Sequence, residues 1–333
     1  MVRVPERDGN IASYSRPFLI YNPFAGQLIR THERLIPRVR DILRRNGVEV
    51  RPVATDGPGS ATDIARQCVH EGADLILVAG GDGTVNEVVN GMALSAAPLG
   101  VLPCGTANVL AMELGLGTRP DKVAAGLDGL VPARVSLGVL LNELERRPRY
   151  FLLMAGAGFD ARIVYQVHGG MKSAVGKLAY WFAGLSQLGS RLPEFHVDVD
   201  DKRYRCSFAL ASRVRNYGGD LEIARSVSLL DHRFELVLFE GASTLPYVRY
   251  FLGVLLNRLP RVEGVTVLHA KSARFGGPGE DRIHVQVDGE LAGWLPVSVS
   301  IAPRSLTLLV PPKYLQYQKV FAADRVWAPS PTT

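Results

Sequence analysis

The chain has 333 residues, 38 Lys+Arg against 32 Asp+Glu, a formal net charge of +6 and 47% hydrophobic residues. These are values for a globular protein of one large or two medium domains, with core enough to exclude a disulfide-dependent or disordered chain. The positive balance suits anionic lipid surfaces or phosphate ligands, whereas the lack of a zinc finger, an RNP-like aromatic motif or a dense basic run argues against nucleic acid as a partner.

Up to about residue 130 the chain alternates strands and helices. Phe18-Leu19-Ile20-Tyr21 reads as a short apolar strand, ended by Asn22-Pro23 and Gly26. Leu35, Val39, Ile42 and Leu43 mark one face of a helix that Asn46-Gly47 closes. Residues 48–54 read as an edge strand, because they tolerate Pro52. After the turn 56–60, Ala61, Ile64, Ala65 and Cys68 share a helical face. The apolar run 73–79 reads as a buried strand, and Val85, Val88, Val89 and Met92 as the inner face of the next helix. A strand at 99–102 and a helix over 107–114 follow. This alternation predicts a parallel sheet covered on both faces.

Beyond residue 132 short β-rich segments recur at 150–154, 195–199, 204–211, 234–239, 283–287 and 297–301. Helical stretches at 160–168 and 177–188 interrupt them, and Asp200-Asp201 reads as a hairpin turn. This half is expected to be a β-sandwich or a β-rich α+β domain. The tail from Ala322 is expected to fray. The cysteines, Cys68, Cys104 and Cys206, are far apart and make no Cys/His group at zinc-ligand spacing, which fits a reducing compartment. Residues 1–10 have no apolar core and do not read as a signal peptide. No apolar run approaches the ~18–20 residues of a spanning helix, so a soluble, cytoplasmic protein is expected.

The richest stretch is Gly80-Gly81-Asp82-Gly83-Thr84-Val85-Asn86, a strand-to-helix turn with three glycines and an aspartate. Glycine removes side chains that would hold a phosphate off the backbone N–H groups, and a helix start adds donors and positive dipole. Asp82 would repel a bare phosphate, but suits one that arrives with a divalent cation. The turn therefore points to a magnesium-bound nucleoside triphosphate; its bland alternative is an ordinary strand–helix connection, for which one glycine suffices. A second loop, Pro103-Cys104-Gly105-Thr106-Ala107-Asn108, repeats the pattern at the end of the next strand. Read alone it is equally a helix cap by Thr106 or Asn108. Beside the first loop it reads as a ligand contact, with Thr106 donating to a phosphate and Asn108 capping or orienting. Asn22-Pro23-Phe24-Ala25-Gly26 and Thr55 end two further strands on the same side, where parallel sheets bind ligands.

In the β-rich half, Val287-Asp288-Gly289-Glu290 is open to two readings. One is a hairpin with Asp-Gly at the turn. The other makes Glu290 a general base that takes the proton of a hydroxyl attacking a γ-phosphoryl group. His168, His196, His232 and His269 are scattered and read as surface or local hydrogen-bonding residues. Leu178, Trp181, Phe182, Leu185 and Leu188 read as core, with interfacial contact left open by Trp181 and its neighbours Lys172, Lys177 and Arg191.

Together, residues 80–84, 103–108, Asn22-Pro23-x-x-Gly26 and Asp288-Gly289-Glu290 resemble the diacylglycerol kinase/sphingosine kinase catalytic family, and most of all its bacterial soluble lipid kinases. Gly158-Phe159-Asp160-Ala161, Gly176-Lys177-Leu178-Ala179-Tyr180 and Asn216-Tyr217-Gly218-Gly219 extend the likeness, which runs from Phe18 to Pro311 in family order. The glycine turn alone is shared with NAD kinases and phosphofructokinases.

The resemblance implies a doubly wound, phosphofructokinase-like α/β domain over 15–132, rejoined by 312–328, and a β-sandwich-like lipid domain over 133–311. It implies ATP at Thr55, Gly80, Gly81, Asp82, Gly83, Thr84, Val85, Asn86 and Thr106, to which the strand-end loops add Asn22, Gly105 and Asn108. It makes Glu290 the proton acceptor, and the expected mechanism has Asp82 hold Mg²⁺, directly or through water, and Lys177 neutralise developing charge. A structural Mg²⁺ is implied at Asp231 with the carbonyls of Ser228 and Arg233. The expected reaction is transfer to a lipid hydroxyl, that of diacylglycerol first, with transient contact at a membrane surface and a homodimer left open. Alternatives are a sphingoid or other lipid acceptor, NAD as acceptor, or a non-catalytic nucleotide- or lipid-binding protein. Three departures bear on the choice. Val109 and Ser136 stand where bacterial diacylglycerol kinases tend to carry acids, and His232 stands where glycine often follows the aspartate.

Overall fold

The computed structural model describes residues 14–31, 34–143, 145–159, 161, 191–217, 221–276 and 282–316. The first part is the expected α/β layer. Strands β1 (Pro17–Tyr21), β2 (Arg51–Ala54), β3 (Leu75–Gly80) and β4 (Pro98–Pro103) pair in parallel, in the order β2-β1-β3-β4. Pro52 lies on the edge strand of that order, where its missing N–H costs no ladder bond.

Alternate residues of each strand serve opposite faces. Phe18, Ile20, Ile76 and Val78 pack under α3 (Ser60–His70) and α4 (Asp82–Met92) through Ala61, Ala65, Val85, Val88, Val89 and Met92. Leu19, Leu75, Leu77 and Leu102 pack under α1 (Gly26–Arg30), α2 (Leu35–Arg45) and α6 (Pro120–Ala125). Helices α3 and α4 cross closely because Gly91 has no side chain; a Cβ there would lie 2.2 Å from the Thr62 carbonyl oxygen.

The second part is a sandwich of antiparallel strands. One sheet has the order β12 (Val265–Ala270), β11 (Phe234–Phe239), β10 (Phe208–Ser212), β7 (Met154–Gly158), β14 (His284–Val287) and β15 (Glu290–Trp294). Facing it are β5 (Val131–Asn142), β6 (Pro148–Phe151), β8 (Phe195–Val199), β9 (Lys202–Cys206), β13 (Ser272–Gly276) and β16 (Val297–Val310). Phe151, Phe195 and Phe275 from one side meet Ala155, Ala157, Leu236 and Val285 from the other.

Strand β16 joins the parts. Its start pairs with β13 and β5, and its end runs parallel to β4, with Thr307 opposite Pro98. A register shift between Ala302 and Leu306, where Arg304 has φ 50°, bends the strand from one part into the other. The expected boundary after residue 132 thus falls inside β5. Tyr314 lies in the first core and bonds Glu113 of α5 (Val109–Glu113) at 3.2 Å. Helix α7 (Leu245–Leu255) between β11 and β12 has no counterpart in the sequence reading. Of the helical reading at 160–168 only Ala161 is described; the reading at 177–188 and the tail from 322 lie outside the described residues.

Candidate active site

The order β2-β1-β3-β4 reverses direction between β1 and β3, and such a switch opens a crevice at the carboxyl ends of the strands. The loops after β1, β3 and β4 meet there. Gly105 lies against Gly81: a Cβ on Gly105 would lie 2.5 Å from the Gly81 Cα. Thr106 is exposed and faces Gly26, whose Cβ would stand 3.9 Å from its hydroxyl. Asn22 donates from Nδ2 to Thr84 Oγ1 at 3.2 Å, and its Oδ1 accepts the Phe24 N–H at 2.9 Å. Thr55 is buried, and its N–H donates to the Tyr21 carbonyl, tying the end of β2 to that of β1.

Helix caps lock the two glycine loops together. Asn108 precedes α5 with φ 49°, but its side chain turns back to Gly105, accepting that N–H at 2.8 Å and donating to that carbonyl at 2.9 Å. The first N–H groups of α5 would then lack acceptors. Asp82 supplies them from α4: its carboxylate accepts Val109 N–H at 3.0 Å and Leu110 N–H at 3.2 Å. Burial raises the Asp82 carboxyl above its ordinary value, against the pull of those N–H donors.

A second network ties α4 to the β-rich part. Asn86 Nδ2 donates to Asp288 Oδ2 at 2.7 Å and to the Tyr150 carbonyl at 3.0 Å, and Asn90 exchanges bonds with the Tyr150 backbone. Asp288 also accepts the N–H groups of Leu152, Leu153 and Met154 at 2.8–2.9 Å. It is a buried carboxylate met by four donors. Burial pushes it up to about 6, against ~3.9 in an unfolded chain. The folded state therefore holds this proton more tightly, and the group's contribution to stability falls as pH rises from about 4 to about 6. Asp288→Asn removes that titration. Urea unfolding should show the stability gap between wild type and variant narrowing from about pH 4 to about pH 7; a widening gap would contradict the assignment.

The hairpin reading of residues 287–290 holds, and it fixes where Glu290 stands. Asp288 and Gly289 have φ 49° and 85° and form the two-residue turn of the β14–β15 hairpin, in which Val287 pairs with Glu290. The turn delivers Glu290 to the first turn of α4. A Cβ on Gly83 would lie 2.3 Å from Glu290 Oε1. The other oxygen pairs with Arg149 Nη2 at 3.2 Å, while Arg149 Nη1 donates to the Leu291 carbonyl at 2.8 Å. Arg149 is a residue that sequence reasoning missed; it stands in the run Arg146-Arg147-Pro148-Arg149 that leads into β6, where no motif marks it.

Gly83→Ala tests this contact. The added methyl meets the end of a flexible side chain, so Glu290 swings aside while the helix gains a better former. The expected result is a kcat about tenfold lower, with Tm within about 2 °C of wild type. An unchanged kcat would show that Glu290 is not needed in that place.

A model of the diacylglycerol kinase catalytic domain matches residues 16–138, and one described as the YegS C-terminal NAD kinase beta sandwich-like domain matches 154–310. The protein named diacylglycerol kinase in Bacillus subtilis (strain 168) is 31% identical over 288 residues, 84% of this chain and 91% of that one. The chain belongs to the diacylglycerol kinase family. Membership makes it a phosphotransferase with an alcohol group as acceptor. A diacylglycerol kinase of Staphylococcus haemolyticus (strain JCSC1435) is 28% identical over 301 residues, 88% of this chain and 87% of its own. The crystal structure of a diacylglycerol kinase from Bacillus anthracis str. Sterne shares the fold, with TM-score 0.70 at 21% identity over 90% of this chain and 98% of that one.

Within this family site, several expected nucleotide contacts have other work. The Val85 side chain lies in the core and the Asn86 amide binds Asp288. Gly105 gives its N–H to Asn108, so it is not an open phosphate donor. Thr84 is buried behind Asn22. Asn22, Thr55, Thr84, Gly105 and Asn108 hold the loops in place beside the start of α4 and the exposed Thr106. Lys177 lies outside the described residues, as do Gly176 and the Gly218-Gly219 pair.

The departures from the family pattern are filled by local bonds. The Val109 side chain is buried and its N–H serves Asp82, and Ser136 Oγ lies 2.6 Å from His232 Nδ1. The set expected for a structural Mg²⁺ is engaged in bonds of its own. The Ser228 carbonyl accepts the Asp231 N–H at 3.0 Å, Asp231 Oδ2 accepts the Ser228 N–H at 3.1 Å, and the Arg233 carbonyl accepts from Arg213 at 3.3 Å. Among the described residues no group of three or more His, Cys, Asp or Glu is arranged to hold a metal. A nucleotide-borne Mg²⁺ asks less of the protein, since phosphate oxygens supply most ligands.

Proposed function

We propose that this protein transfers the γ-phosphoryl group of ATP to the free hydroxyl of diacylglycerol, forming phosphatidic acid. The observation that carries the reading is the placing of Glu290 against Gly83, at a helix start built to receive phosphates. The N–H groups of the first turn of α4 bind and orient the phosphates, and Thr106 donates its hydroxyl to them. Glu290 takes the proton of the lipid hydroxyl as its oxygen attacks the γ-phosphorus. The bond from that phosphorus to the bridging oxygen breaks, and ADP leaves with the electron pair. Arg149 holds Glu290 in place and adds positive charge beside the transferring group. Mg²⁺ bound with ATP, which Asp82 would hold, would supply charge neutralisation on the phosphates.

Substrate of this kind lies in a bilayer. Among the described residues no helix is long and apolar enough to cross one, and α7 supports a peripheral contact instead. Leu245, Val248, Leu252 and Leu255 share one of its faces at 40–64% exposure, with Leu256, Arg258 and Arg261 exposed just beyond. Apolar side chains next to arginines suit an anionic lipid surface. Leu252→Glu with Leu255→Glu should weaken sedimentation with phosphatidylglycerol vesicles by about tenfold, and leave transfer to a water-soluble short-chain diacylglycerol unchanged. Equal vesicle binding would remove α7 from the contact.

The test of function is transfer from γ-labelled ATP into a total lipid extract, followed by identification of the labelled product. Label in phosphatidic acid is expected. Label only in a sphingoid phosphate, or transfer to NAD instead, would overturn the assignment of acceptor.

A further inference from the structure

Arg213 follows β10 and is the largest fully buried side chain of the described residues. An enclosed guanidinium is costly unless it is held by several acceptors. Here the acceptors are carbonyls of one loop. Nη2 donates to Leu229 O at 2.8 Å, Nη1 to Arg233 O at 3.3 Å, and both reach Asp231 O at 3.4 Å. Carbonyl dipoles that converge on one point repel one another, and they do so stably only around a positive charge. Burial lowers the Arg213 guanidinium to about 10, with Tyr314, Asp231 and Asp288 opposing the shift, so it stays charged at neutral pH.

We propose that Arg213 replaces the structural divalent cation that the family resemblance implies in this loop: its guanidinium is the positive charge around which residues 228–233 fold, and the loop binds no metal ion. The two cannot coexist, since the Arg233 carbonyl already serves the guanidinium and a second cation would stand a few ångströms from a fixed like charge. The nearby departures agree. A single positive charge needs fewer balancing acids than a divalent ion, and Ser136 hydrogen-bonded to His232 stands where the family tends to carry an aspartate.

The backbone beside the guanidinium lies close to the active site: the Arg213 backbone N–H donates to the Leu153 carbonyl at 2.8 Å, and the Leu153 N–H donates to Asp288, whose turn presents Glu290. This inference concerns the free protein and does not depend on which lipid is phosphorylated.

The experiment uses the full chain without nucleotide. Thermal unfolding is measured in EDTA and in MgCl2, and Mn²⁺ binding is measured by electron paramagnetic resonance. Tm should agree within about 1 °C in the two media, and no bound Mn²⁺ should depend on Asp231. A Mg²⁺-induced rise above about 2 °C that Asp231→Asn abolishes, or one equivalent of Mn²⁺ that Asp231→Asn releases, would overturn the proposal. Both arms use wild-type protein and the isosteric Asp231→Asn, so neither depends on how a cavity variant folds. In Arg213→Ala the Tm should fall and recover in part with about 10 mM guanidinium but not with urea. A variant as stable as wild type would likewise overturn it.

Discussion

Glu290→Gln should lower kcat for lipid phosphorylation by about 10³-fold while leaving the KM for ATP and the Tm close to wild type. The size follows from the nature of the step. A lipid hydroxyl is a poor nucleophile until its proton leaves, and a positioned carboxylate contributes on the order of 10²–10⁴. The selectivity follows from the geometry. Glutamine keeps the shape of the side chain, its oxygen can still accept from Arg149, and the backbone pairing of Glu290 with Val287 is untouched. Binding and folding therefore survive, and only basicity is lost. Steady-state kinetics with ATP and diacylglycerol, with a melting curve on the same preparation, separate the two. A variant with near-normal kcat would reduce Glu290 to a hairpin residue.

Asp82→Asn is expected to lower kcat/KM for ATP by about 10²-fold and to cost stability as well. The carboxylate accepts two N–H groups of α5. An amide can accept with its oxygen only and presents its NH2 to the other donor, so a cap worth about 1 kcal/mol is lost. Loosening α5 loosens Asn108 and Gly105 behind it, and the wall formed with Gly81 shifts. The change also removes the charge that faces a nucleotide-borne cation. Raising Mg²⁺ in the assay should recover part of the loss in ATP affinity and none of the loss in Tm. Wild-type kinetics with a lowered Tm would make Asp82 a cap alone.

The α/β layer was largely legible because its signals are local. The run 73–79, the helical face Val85–Val88–Val89–Met92 and the proline on an edge strand all declare themselves within a few residues. What escaped depends on contacts made far along the chain. Asn86 looks like a ligand residue beside its glycines, yet its partner Asp288 is 202 residues away. The glycines themselves read as room for phosphate. In the fold they are also demanded by the protein: Gly105 by the Gly81 backbone, Gly83 by Glu290, and Gly80 by Thr84, whose Cβ would lie 2.6 Å away. Strand β16 was read only as 297–301 because Pro303-Arg304-Ser305 breaks the apolar pattern, and those residues form the bend that joins the two parts. Helix α7 hid because apolar residues lie all round it, which blurs the helical period.

The Ser136–His232 contact and Arg213 show why departures from a family pattern need a structure to interpret. Read singly, Val109 and Ser136 are lost acids, and they suggest weakened catalysis. In place, Val109 lends its N–H to Asp82, Ser136 meets His232, and a guanidinium stands at the carbonyl loop. The Asp288 turn, and with it Glu290, keeps its full set of donors.

Label followed from γ-labelled ATP into diacylglycerol in mixed micelles, with wild type and Glu290→Gln side by side, decides whether Glu290 and the α4 turn phosphorylate the lipid hydroxyl. The expected result is labelled phosphatidic acid and ADP in equal amounts from wild type, with formation about 10³-fold slower from the variant. ATP bound by wild type without any label entering the lipid, or the same rate from both proteins, would contradict it.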